Sequence, residues 1–115
     1  PLTPELRDSM QQAICELEAV PGVSGIAGDC GFLINYQKDA LSLSKKVPCF
    51  ISALLQCHLL ASMFAPDEIV LVLTANEDSL KPSFKKILSA CNVEEKDHDR
   101  FVVKGCQDLP GFEAV

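Results

Sequence analysis

Cys30 is the residue whose setting could do chemistry. It stands in "GIAGDCGFLINYQ", residues 25–37, with Gly28 and Asp29 before it and Gly31 after it. Small apolar residues precede it and a helical pattern follows. That places a thiol in a strand-to-helix turn. Helix N–H groups and the helix dipole stabilise an anion there, and the glycines let a ligand approach the backbone. A thiol so placed can carry a proton or attack a substrate; in any other context it is small apolar filler. Two hydroxyls, Ser52 and Thr74, stand in the same kind of position after later strand-like segments. With the N–H groups of the helices beyond them they could hold a carboxylate, or Ser52 and Asn76 could simply cap those helices.

The remaining polar residues suggest less. Asp29 could orient or deprotonate Cys30, although its charge opposes a thiolate, or it could cap the next helix. His58 lies in an apolar helical stretch and reads as packed or partly exposed. His98 lies in "EEKDHD", which reads as a solvated loop, and Cys106 reads as structural. The six cysteines form no C-x-x-C pair and no cysteine–histidine cluster with zinc spacing, so no metal site is expected. Reduced thiols in a cytoplasmic setting fit this pattern. A net charge of -6 without a basic patch argues against nucleic acid and anionic membranes as partners. No apolar run reaches the ~20 residues of a membrane span. Glycine-rich phosphate-binding signatures are absent, so no nucleotide is suggested.

The elements that would position these residues alternate. Thr3 and Pro4 open a helix whose Leu6, Met10, Ala13, Ile14 and Leu17 recur at helical spacing. "VSGIAG", "VPCFIS", "EIVLVLTA" and "FVVKG" read as strands, separated by helical segments. One of these segments should be broken in two near Pro82. The unbroken apolar run from Ile69 to Leu73 predicts a strand buried on both faces. The α-β-α-β order predicts an α/β fold: a parallel sheet of about four strands flanked by helices, Rossmann-like or flavodoxin-like. Ligands of such sheets bind beyond the carboxyl ends of the strands, where Cys30, Ser52 and Thr74 would all lie.

"GIAGDCGFLINYQ", "VPCFISALLQ", "VLVLTANEDSL" and "VVKGCQDLPGFEAV" together resemble the aspartate/glutamate racemase superfamily, near its hydantoin racemase and arylmalonate decarboxylase branch. The resemblance implies a cofactor-independent isomerase acting on an amino acid or similar small carboxylate. A thiolate/thiol pair, one cysteine from each of two facing domains, would move the proton. Cys30 matches the first-domain cysteine, Gly31 and Phe32 follow it as in that branch, and Ser52 and Thr74 match substrate-carboxylate positions. Residues 1–115 would then be one α/β domain, a fragment without the first strand and the second domain. An unpaired domain face would favour a homo-oligomer. Arylmalonate-type decarboxylation and a non-catalytic carboxylate-binding or assembly module are the alternatives.

Overall fold

The computed structural model describes residues 2–112. Pro1 and the last three residues of the "VVKGCQDLPGFEAV" block lie outside them. The chain forms two compact units, residues 1–55 and 56–115.

The first unit begins with helix α1 (Pro4–Glu18), where the Thr3 hydroxyl accepts the Leu6 N–H at 3.3 Å and Pro4 occupies the first turn. Strand β1 (Ile26–Ala27) pairs in parallel with β2 (Cys49–Phe50), Ile26 opposite Cys49 and Ala27 opposite Phe50. Between them a 3₁₀ turn, Gly31–Tyr36, runs into helix α2 (Gln37–Leu43). Ile14, Ile26, Ala40, Leu43, Cys49 and Ile51 form the core. Buried Gln37 closes the outer edge of β2: its amide donates to the Cys49 carbonyl at 2.7 Å and accepts the Ile51 N–H at 3.0 Å. A side chain thereby does the work of a neighbouring strand. At the amino end of β2, the Glu18 carboxylate gathers the Ser44 hydroxyl and the Lys45 and Lys46 N–H groups, each within 2.9 Å. The Lys46 N–H bond is the main reason its pKa is lowered.

The second unit contains α3 (Cys57–Met63), β3 (Val70–Thr74), α4 (Glu77–Leu80), α5 (Phe84–Ala90) and β4 (Phe101–Gly105). β3 and β4 pair in parallel over five residues, from Val70 opposite Phe101 to Thr74 opposite Gly105. The helical segment does divide at Pro82, through a 3₁₀ turn, Lys81–Ser83.

Two expectations need correction here. β3 is not buried on both faces: Leu71 and Leu73 are 60% and 66% exposed while Val70 and Val72 are half-buried. Period-two alternation is therefore hidden inside an all-apolar sequence. The "EEKDHDR" segment is a 3₁₀ helix, Glu95–Arg100, with His98 and Arg100 buried. The Arg100 guanidinium explains why. It donates to the carbonyls of Ala61, Phe64, Ala65 and Glu68 and to Asp97, all within 3.1 Å. It thus gathers carbonyls from the last turn of α3 and from the segment that leads to β3. Among the described residues no helix is long and apolar enough to cross a membrane.

Candidate active site

In the first unit the carboxyl ends of β1 and β2 are drawn close together. Gly28 N–H donates to the Phe50 carbonyl at 2.8 Å. A Cβ on Gly28 would stand 2.5 Å from the Ile51 carbonyl oxygen, so this glycine is demanded by the opposing backbone rather than by a ligand. Gly31 is different, because a Cβ there would meet only the Leu54 side chain at an ordinary 3.6 Å.

Cys30 follows as the extended residue just before the 3₁₀ turn. Its carbonyl accepts the Leu33 N–H at 3.1 Å. Ile34 is buried and Leu33 packs on the core, which anchors the turn. Asp29, Cys30 and Phe32 are left exposed beside it. Ser52, in contrast, has no exposed surface. Its hydroxyl donates to the Gly31 carbonyl at 3.0 Å and accepts the Leu54 N–H at 3.3 Å. It caps the next turn, as one of its two sequence readings holds, and it also ties the end of β2 to the Cys30 turn.

Thr74 belongs to the second unit. It ends β3, and its hydroxyl has no partner among the described residues, while its carbonyl accepts the Cys106 N–H at 2.9 Å. Asn76 is a cap, its side-chain oxygen accepting the Asp78 and Ser79 N–H groups. The residue that sequence reasoning passed over is Glu77. Its carboxylate accepts the Gly105 N–H at 2.6 Å and pairs with Lys81 at 2.7 Å. Its own N–H donates to the Gln107 side chain at 3.3 Å. The Lys81 hydrogen bond and then the Gly105 N–H hold the Glu77 pKa below its ordinary value. The Lys81 pair is a local i,i+4 signal, but the Gly105 and Gln107 partners lie 28 and 30 positions away and nothing local marks them.

The six thiols are all free. Burial raises the pKa of Cys49, with the Glu18 charge adding to it, and burial also raises that of Cys91. Burial, then the neighbouring Cys91, pushes Cys57 up to about 11. These three are poor nucleophiles and poor bases at neutral pH. Cys15 is exposed too, but it lies mid-helix on α1. Cys30 alone joins exposure to a strand end. No group of His, Cys, Asp and Glu among the described residues could hold a metal. A cavity of about 550 Å³ in the second unit, lined in part by His58, Asn92 and Arg100, borders the amino ends of β3 and β4. The Arg100 N–H groups there are spent on carbonyls and Asp97, and His58 Nδ1 lies 2.9 Å from the Asn92 carbonyl.

Compared with known proteins, the chain matches dimethylsulfoniopropionate lyase 5 of Emiliania huxleyi at 55% identity over its whole length, covering 23% of that protein. Dimethylsulfoniopropionate lyase 6 of the same organism is 44% identical over 96% of the chain and 29% of the relative. The dimethylsulfoniopropionate lyase of Durusdinium sp. clade D is 35% identical over 99% of the chain and 37% of the relative. The chain is similar to dimethylsulfoniopropionate lyases. It spans about a quarter to a third of the length of these lyases. No family model matches, and no solved structure does.

These lyases overturn the racemase assignment. Neither a racemase nor another isomerase is among the relatives named here, and no family model supports that superfamily. The amino-acid racemase activity, with its arylmalonate decarboxylase and non-catalytic alternatives, is therefore replaced by a lyase reading. The misreading has a physical source. A thiol at a strand end suits more than one chemistry, so the residues around Cys30 do not by themselves select a family.

Proposed function

We propose that this chain carries the proton-abstracting thiol of a lyase that cleaves dimethylsulfoniopropionate to dimethyl sulfide and acrylate. The observation that carries the reading is similarity to these lyases along the whole chain, joined to one exposed thiol at a strand end. The Cys30 thiolate takes the proton from the carbon next to the substrate carboxylate. The electron pair of that C–H bond becomes the second bond of the acrylate double bond. The C–S bond breaks at the neighbouring carbon, and its pair stays on sulfur, which departs as neutral dimethyl sulfide. The thiol then returns its proton to solvent.

This elimination calls for one proton removal. Racemisation needs a second acid on the opposite face. A neutral sulfide also leaves without being protonated, so no cofactor is required by the bookkeeping of bonds. Gly31 and Phe32, beside the thiol, are the proposed neighbours of the substrate.

The wider expectations stand as part of the same proposal. The α-β alternation and the parallel pairing within each unit support the α/β reading. Free thiols support a cytoplasmic setting. The bare apolar face around Leu71, Leu73 and Val102 supports a homo-oligomer.

The test is a chimera in which this segment replaces its 55%-identical counterpart in lyase 5 of E. huxleyi. The chimera should release dimethyl sulfide and acrylate in equal amounts from dimethylsulfoniopropionate. A folded chimera that releases neither contradicts the proposal.

A further inference from the structure

We infer that Ser52 is a positioning residue for Cys30 rather than a ligand of the substrate. The inference rests on the reading of Cys30 as the base. Three observations converge on it. First, Ser52 has no exposed surface, so its hydroxyl does not reach a substrate held at the strand ends. Second, that hydroxyl is used in both directions, as donor to the Gly31 carbonyl at 3.0 Å and as acceptor from the Leu54 N–H at 3.3 Å. Third, the bond to Gly31 crosses 21 residues and lands on the residue directly after Cys30.

The turn has few other ties. On its strand side stands the Gly28 N–H bond to Phe50, and on its helix side the Leu33 N–H bond to the Cys30 carbonyl. Gly31 brings no Cβ of its own to restrict the peptide that follows the thiol. Ser52 supplies that restriction from β2. A thiol that must meet a proton within hydrogen-bond reach loses rate when its carrier turn wanders by an ångström. A brace on the adjacent peptide therefore acts on the chemistry through Cys30 without touching the substrate.

The rate of iodoacetamide labelling of the intact chain, read by peptide mass spectrometry, tests this. Cys15, exposed on α1, is the internal reference for an unconstrained surface thiol. In the wild-type chain the labelling rate of Cys30 should differ clearly from that of Cys15. In Ser52→Ala the freed turn should bring the Cys30 rate several-fold closer to that of Cys15, and Ser52→Thr, which keeps the hydroxyl, should restore the difference. Ser52→Cys keeps nearly the same volume with a weaker hydrogen bond and should fall between; it answers the question if the alanine variant does not fold. An unchanged Cys30 rate in a folded Ser52→Ala or Ser52→Cys chain overturns the inference and leaves the role of Cys30 standing. A wild-type Cys30 indistinguishable from Cys15 overturns both.

Discussion

The two parallel pairs are finished differently at their carboxyl ends. In the first unit the ends of β1 and β2 are joined without charge, by the backbone closeness that Gly28 permits and by the neutral Ser52 hydroxyl. In the second unit a carboxylate does the joining, Glu77 holding the Gly105 N–H while Lys81 balances its charge. The contrast extends to the amino ends of β3 and β4, where one buried guanidinium, Arg100, gathers four carbonyls. The charge nearest in sequence to the exposed Cys30 is that of Asp29, not of a brace. The joint that a carboxylate makes at the ends of β3 and β4 is exposed to acid, while the hydroxyl joint beside Cys30 is not.

The largest stability effect should come from the charged brace. Arg100→Lys keeps the charge but not the planar fork, and strands several carbonyls together with Asp97; it should cost the second unit about 3 kcal/mol. Hydrogen exchange resolved by residue should show the loss in β3, α5 and β4 before it shows in the first unit. Equal loss in both units would break the comparison.

Gly28→Ala attacks the neutral joint. The added methyl meets backbone, which has no rotamer to yield, so a cost of about 2 kcal/mol is expected, read as a lowered denaturant midpoint. Cys30 labelling should change with it, because the thiol sits two residues away.

The smallest effect is acid sensitivity. Glu77 has a pKa below its ordinary 4.5 in the folded chain. The stabilisation it supplies is therefore complete above about 4.5 and is lost as pH falls through the lower, folded value. The Gly105 amide should lose protection in that window while the Leu54 amide, held by an uncharged hydroxyl, keeps its own. Loss at both amides together would show that the first unit also depends on a carboxylate, with Glu18, similarly lowered, the one to examine.

What could be read from the chain before its structure follows the range of each interaction. Local signals were legible: Thr3 and Pro4 at the start of α1, Asn76 capping α4, the break at Pro82, and β3 within "EIVLVLTA". Interactions that span the unit were not. Gln37 reads as one polar residue in a helix, Glu77 as another in a first turn, and Arg100 as the end of a charged loop. Each finds its decisive partner twelve to 39 positions away. Cys30 was legible because strand, turn and helix signals surround it within a dozen residues. A reaction for it was not, since a thiol in such a turn suits more than one chemistry.

The role of Cys30 is tested most directly by the rate at which the lyase 5 chimera releases dimethyl sulfide with and without its thiol. Cys30→Ser, checked for unchanged folding, should lower that rate about 100-fold or more, in keeping with the loss of a positioned base. A Cys30→Ser chimera that still releases dimethyl sulfide at the parental rate would contradict the assignment of Cys30 as the base.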